Sequence, residues 1–153
     1  MSVALNETVP DFTAPATGGD VTLRDFAGKN VVLYFYPKDA TPGCTTQGQN
    51  FRDMYPAFLA ANTVVFGISR DSLKSHDNFK GKMGFPFELI SDPDEALCNI
   101  FGVIKMKNMY GKQVRGIERS TFVLDSGGKL VREWRGVRVP GHVEEVLEFV
   151  RGL

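Results

Sequence analysis

One cysteine stands where a nucleophile could be made. Cys44 ends the run Pro37-Lys38-Asp39-Ala40-Thr41-Pro42-Gly43-Cys44, which follows the apolar Val31-Val32-Leu33-Tyr34-Phe35-Tyr36 and precedes a stretch with helical spacing. A β-branched and aromatic run, then prolines and glycine, then helical periodicity predict a strand, a loop and a helix start. Thr41 and Pro42 suit the N-cap and first positions of that helix. Cys44 then lies in the first turn, where unpaired backbone N–H groups and the positive end of the helix dipole favour a thiolate, the nucleophilic form of cysteine. Thr45, Thr46 and Gln47 follow, so the Cys-x-x-Cys of a dithiol oxidoreductase is missing. The second thiol, Cys98, sits beside Leu97 in an apolar helical stretch; it reads either as a small core hydrophobe or as a partner for Cys44.

Other chemistries find little support. His76 and His142 have no second ligand at metal spacing and read as surface residues, so no metal is expected. Gly28-Lys29 and Gly111-Lys112 lack the upstream glycine of a phosphate loop, and no Gly-x-Gly-x-x-Gly occurs. Eighteen basic residues balance eighteen acidic ones, which argues against nucleic acid or an anionic membrane as partner. The N-terminus has no basic region followed by an apolar core and no run is long enough to span a bilayer, so a cytoplasmic protein is expected. Two cysteines are too few for a disulfide scaffold, and any disulfide should be transient.

Positioning Cys44 requires a scaffold, and 153 residues with 42% hydrophobic content suit one domain over 1–153. Phe51, Met54, Tyr55, Phe58 and Leu59 continue the first helix to about Ala61, and Thr63 to Ser69 reads as a second buried strand, completing a β-α-β unit. Ser72 to Met83 reads as helix, Phe87 to Ile90 as a short strand, and Asp92-Pro93 as the N-cap and first position of a helix through Phe101. Lys105 to Gln113, basic and interrupted, reads as an exposed loop. Ser120 to Asp125, the Ser126-Gly127-Gly128 turn and Lys129 to Trp134 predict a hairpin, making the sheet mixed. Val143, Val146, Leu147 and Val150 form one face of a last helix. Near the start, Phe12 to Ala14 and Val21 to Leu23 flank a turn and suggest a small extra hairpin. The class is α/β, a central mixed sheet flanked by helices with an N-terminal hairpin extension.

A β-α-β half, a β-β-α half and a cysteine at the first helix start resemble the thioredoxin-like fold. Pro37, Thr41 and Cys44 match the peroxiredoxin pattern Pro-x-x-x-Thr-x-x-Cys. The phrase from Tyr34 to Thr45, with Val9-Pro10-Asp11-Phe12, Gly67 to Asp71, Ser91-Asp92-Pro93 and Arg119 to Phe122 in order, is similar to the peroxiredoxin Q group, also called bacterioferritin comigratory protein. The resemblance implies a thioredoxin-dependent peroxiredoxin without cofactor, reducing hydrogen peroxide and organic hydroperoxides through a Cys44 sulfenic acid. Thioredoxin, glutaredoxin or a small thiol would be the reductant, and the protein a monomer or weak dimer. Thr41 would orient the peroxide, Pro37 would shield the site, and the Gly43 and Cys44 N–H groups would bind the substrate. Making a thiol largely ionised at neutral pH takes about 3 kcal/mol, more than the ~0.3–1 kcal/mol usual for a helix terminus. A second cation is needed, and the resemblance assigns it to Arg119.

Two departures from that group stand out. Many members carry a resolving cysteine five residues after the first, where this chain has Gln49, which leaves Cys98 as the one possible resolving thiol. Gln47 stands where relatives often have Glu, removing a negative charge near the thiolate. Tyr36 reads mainly as a strand residue, Lys38 as a solvated loop lysine, and Gly48 as a point where the first helix can unwind. The alternative function is a peroxide sensor or redox-regulated binding protein, which would react about once per molecule rather than turn over.

Overall fold

A computed structural model describes residues 2–153. Strands β1 (Thr13–Ala14) and β2 (Val21–Thr22) pair as the small N-terminal hairpin. The chain then runs β3 (Asn30–Phe35), α1 (Pro42–Ala60), β4 (Thr63–Ser69), α2 (Leu73–Met83), β5 (Leu89–Ser91) and α3 (Ala96–Phe101). It continues through β6 (Ile104–Met109), β7 (Lys112–Ile117), β8 (Ser120–Leu124), β9 (Leu130–Arg135) and α4 (His142–Arg151). The central sheet has the order β5-β4-β3-β8-β9, parallel across β5, β4 and β3 and antiparallel from β3 through β8 to β9.

Helices cover both faces of this sheet, so β3 is buried at every position rather than alternating. Val32, Tyr34 and Tyr36 pack with Phe51 and Phe58 of α1, Phe79 of α2 and Val143, Val146 and Val150 of α4. Val31, Leu33 and Phe35 point to the opposite face, against Leu97, Cys98 and Phe101 of α3 and Ala14 and Val21 of the small hairpin. Phe51 and Phe58 are fully buried, and at about 2–3 kcal/mol each they hold α1, and with it the helix start, on the sheet.

Two local expectations are corrected. Asp92 and Pro93 do not open α3; a turn intervenes, and Glu95 is the N-cap at φ 62°. Asp92 still caps from upstream, its carboxylate accepting the Leu97 and Cys98 N–H groups at 3.1 and 2.8 Å. Lys105 to Gln113 is no loop but most of the β6–β7 hairpin, turning at Tyr110 and Gly111 with φ 52° and 79°. Two successive left-handed residues are the turn that suits strand twist, and the alternation of Ile104, Met106 and Asn108 with Lys105 and Lys107 is a strand period.

Both histidines are also buried, against expectation. His76 turns inward with Phe79 because α2 lies on the sheet along that face, and its ring nitrogens meet Asp39 Oδ2 and the Ile90 carbonyl. His142 opens α4 against Trp134, with Nε2 on the Thr121 hydroxyl at 2.8 Å. Burial pushes its pKa down to about 4. Among the described residues no helix is long and apolar enough to cross a membrane.

Candidate active site

Thr41, extended at φ −81° and ψ 154°, is the N-cap residue of α1 but makes no side-chain cap hydrogen bond, and Pro42 takes the first helical position. Proline has no N–H, and the Thr45 N–H already bonds the Thr41 carbonyl at 2.9 Å. The donors left free of helical bonds by this first turn are therefore those of Gly43 and Cys44. The Thr41 hydroxyl donates to the Lys38 carbonyl at 2.8 Å, which leaves its oxygen able to accept a hydrogen bond from a ligand. Pro37 is half-buried at the end of β3.

Arg119 comes 75 residues later, and the sheet register explains how it arrives. Phe35 at the end of β3 pairs with Ser120 at the start of β8, so Arg119 lies next to the loop that leaves β3. Its Nη2 donates to Cys44 Sγ at 3.4 Å and its Nη1 to Gln47 Oε1 at 2.6 Å. Gly43 makes room for the approach: a Cβ there would stand 3.1 Å from Arg119 Nη2. Cys44 itself is buried, 2% exposed. The sulfur thus meets a guanidinium on one side and belongs to a helix terminus on the other, and both stabilise negative charge.

Cys44, Thr41 and Gly43 share the start of α1 and Arg119 reaches Gly43 and Cys44 there, while Pro37 lies upstream in the segment that follows β3; Cys98 is elsewhere. Cys98 lies in the cluster on the opposite face of the sheet, fully buried. Burial, with the Asp92 carboxylate adding to it, pushes its thiol far above the ordinary range.

Several neighbours take roles that the sequence reasoning missed, Gln47 among them although it was expected near the thiolate. Gln47 is fully buried and is the acceptor that orients Arg119; being neutral, it leaves the guanidinium charge to the sulfur. Its Nε2 and the Tyr34 hydroxyl are buried without a partner among the described residues. Tyr34 resists ionisation because it is buried, with the charges at Cys44 and Asp39 adding to that. Tyr36 is more than a strand residue, since its hydroxyl donates to Asp39 at 2.6 Å. Lys107 on β6 donates to the Ile117 carbonyl. Burial pushes its ammonium below the ordinary range, the Arg119 charge adds to this, and Glu118 and Cys44 oppose it, so the hairpin borders the site. The period-two alternation in β6 was the signal for Lys107; nothing local announced the bond of Gln47 to Arg119. Asp39, Asp71 and His76 also bring ligand-type atoms within 4.8 Å of one another, and Asp39 already bonds both of the others.

Comparison with known proteins agrees with this geometry. Residues 5–133 match the model of the AhpC/TSA family. The peroxiredoxin Bcp of Xanthomonas campestris is 59% identical over 88% of this chain and 84% of its own. A solved structure of Xylella fastidiosa PrxQ superposes with TM-score 0.93 at 44% identity, covering 99% of this chain and 98% of that one. Another, of the Xanthomonas campestris bacterioferritin comigratory protein in work on its alkyl peroxide reduction activity, has TM-score 0.88 at 54% identity over 92% and 90%. A thioredoxin-like sheet, a cysteine at the open end of its first long helix and an arginine turned onto the sulfur accord with those matches, and this chain belongs to the AhpC/TSA family as a peroxiredoxin of the Bcp and PrxQ type, a thiol peroxidase.

Proposed function

We propose that Cys44 is the peroxidatic nucleophile of this thiol peroxidase and that Arg119, Thr41, Pro37 and the Gly43 and Cys44 N–H groups complete its site. The thiolate attacks one oxygen of a hydroperoxide, an S–O bond forms as the O–O bond breaks, and the other oxygen leaves with the electron pair and takes a proton as water or alcohol. The free N–H groups and Arg119 stabilise the charge as it moves from sulfur to the leaving oxygen, and the Thr41 oxygen accepts a hydrogen bond from the peroxide O–H. The carrying observation is the contact of Arg119 Nη2 with Cys44 Sγ at the uncapped start of α1. Hydrogen peroxide and organic hydroperoxides both suit a site that holds only the two oxygens, and the alkyl peroxide activity of the Xanthomonas relative supports the second class.

An external thiol then reduces the sulfenic acid: it displaces water to give a mixed disulfide, and a second thiol releases Cys44. Cys98 across the sheet and Gln49 in place of a nearby cysteine support this one-cysteine cycle. Thioredoxin, glutaredoxin or a small thiol would serve in the cytoplasm, where two unpaired cysteines stay reduced. The functional unit would be a monomer or weak dimer. Intact mass after one equivalent of peroxide, with and without a dimedone trap, is the test. Wild type should gain one oxygen that the trap captures, and Cys44→Ser should gain none and consume no peroxide. A product two hydrogens lighter, joining Cys44 to Cys98, would replace the one-cysteine cycle, and normal turnover by Cys44→Ser would remove the mechanism.

A further inference from the structure

The β6–β7 hairpin stands apart from the central sheet in pairing and in charge. It forms a two-stranded sheet of its own, and residues 104–117 carry four basic side chains, Lys105, Lys107, Lys112 and Arg115, and no acidic one, in a chain with eighteen charges of each sign. Residues directly opposite in an antiparallel pair share a face, and the register sets Met106 against Arg115, Lys107 against Val114 and Lys105 against Gly116. The first face is occupied: Ile117 is buried with Phe101 and Val103, Ile104 packs on the same cluster, and Arg115 is paired with Glu95. The second face holds Lys105, Lys107, Lys112 and Val114. None of its three lysines forms an ion pair among the described residues.

This second face lies beside Cys44. Strand β7 ends at Ile117, two residues before Arg119, whose Nη2 reaches the sulfur at 3.4 Å. Lys107 folds back onto the Ile117 carbonyl, where its ammonium feels the charges of both Arg119 and Cys44. Val114 is 40% exposed among the lysines, and Tyr110 at the tip is fully exposed. Apolar side chains left in water inside a charged rim mark a docking surface. Two six-residue strands, at about 3.4 Å per residue and about 5 Å apart, give a face roughly 20 Å long and about 10 Å wide. That area suits a transient redox encounter and is too small for a stable dimer. Turnover of a thiol peroxidase requires a thiol to come to Cys44, and a protein that brings one lies against this face. Lysines without partners of their own call for negative charge on that visitor.

We propose that the face of the β6–β7 hairpin carrying Lys105, Lys107, Lys112 and Val114 docks the protein thiol that reduces Cys44, and that this reductant bears acidic side chains around its reactive cysteine. The proposal rests on Cys44 being the peroxidatic residue. The lysines draw in the acidic rim, and Val114 and Tyr110 pack against the apolar surface inside it. Such recognition acts on the rate of arrival and weakens with salt. Hydrogen peroxide and a small neutral thiol need no docking face, so they are indifferent to it.

The experiment uses the double variant Lys105→Glu, Lys112→Glu, with Lys105→Gln, Lys112→Gln as a milder form; both positions are exposed. Lys29→Glu, Lys129→Glu changes net charge equally from exposed positions at the other end of the central sheet, before β3 and β9 begin, and is the control. Three rates are read in each: oxidation by hydrogen peroxide, reduction of the oxidised protein by a thioredoxin of negative net charge, and its reduction by dithiothreitol. Ionic strength is raised from about 0.02 to about 0.5 M, which shortens the Debye length from roughly 20 Å to about 4 Å. Charge reversal on the hairpin predicts a roughly 10-fold fall in the second-order rate with thioredoxin at low salt, a smaller fall for the glutamine pair, and convergence with wild type at high salt. The rates with peroxide and dithiothreitol should stay unchanged. A thioredoxin rate that ignores the hairpin lysines, an equal fall in the control variant, or an equal fall with dithiothreitol would overturn the docking face. So would sedimentation showing a wild-type dimer that the hairpin variants dissolve, since a second copy of the chain would then occupy it. Wild type that is not oxidised by peroxide would overturn the reading of Cys44 and the docking with it, whereas normal oxidation with a lysine-independent thioredoxin rate would overturn the docking alone.

Discussion

At the scale of single residues, the site depends on where one positive charge is directed. Arg119 is held by Gln47 on one nitrogen and offers the other to sulfur, so an amide from α1 aims a guanidinium at a cysteine on the same helix. A hydrogen bond to a charged group contributes about 1.5–3 kcal/mol, so Arg119→Ala should slow oxidation of Cys44 by roughly 10- to 100-fold while the melting temperature changes little. Stopped-flow fluorescence or a competition assay for peroxide reads the rate. Gln47→Met, similar in size but without the acceptor, should slow the same step less. If Gln47 acts only through Arg119, the double variant will be no slower than Arg119→Ala alone; independent, additive losses would assign Gln47 a role of its own.

The elements carry the second level of constraint, and α1 is the one that must both hold still and yield. Gly48 was read from the sequence as a weak point in the helix; in the structure it admits the Phe85 ring, whose Cζ would lie 2.4 Å from an added Cβ. Phe85 is itself pinned between Phe79 and Phe87, so the second turn of α1 is clamped as well as weakened. Cα atoms five residues apart in an intact helix are about 8.6 Å apart, beyond the ~7 Å reach of a disulfide. Gln49→Cys should form a 44-to-49 disulfide on peroxide treatment only through unwinding of that turn, and should then protect Cys44 from overoxidation. Peptide mapping checks this: an overoxidised Cys44 with no linkage would mean that the Phe85 clamp holds.

Legibility from the sequence followed the same division between local pattern and tertiary contact. The largely apolar, β-branched and aromatic β3 and β4, the Thr41-Pro42 helix start and the Ser-Gly-Gly turn before β9 were readable because each is written in consecutive residues. His76 was not, because which face of α2 is buried depends on the sheet beneath: His76 is covered while Leu73 of the same helix stays 39% exposed. The β6–β7 hairpin was concealed by its lysines, which suggested solvent and obscured the alternation. Within the site, Cys44 and its helix start were legible from the residues, Arg119 only through a family resemblance, and Gln47 and Asp39 in these roles not at all, since their partners lie 72 and 37 residues away.

For the whole molecule, the buried titratable groups set the response to acid. His142 has its pKa pushed down to about 4 by burial, below the ordinary value of 6.5, so the unfolded chain takes up a proton before the folded one does. Its contribution is fully present above pH 6.5 and is lost as pH falls from there through about 4, with a total near ~3 kcal/mol. Asp39, held below its usual range, adds a further loss at more acidic pH. Denaturant midpoints followed from pH 7 to pH 4 should fall in wild type, and His142→Gln should flatten that part of the curve. The opposite placement of the two thiols has a different consequence. In the native protein, alkylation of Cys44, buried at the start of α1, requires only movement there, whereas alkylation of Cys98 has to wait for the α3 side of the core to come apart. A single time course of iodoacetamide labelling, read by mass, should therefore resolve into a faster and a slower modification. The chain carries two clocks, one timing movement at the start of α1 and the other the far rarer loss of the fold.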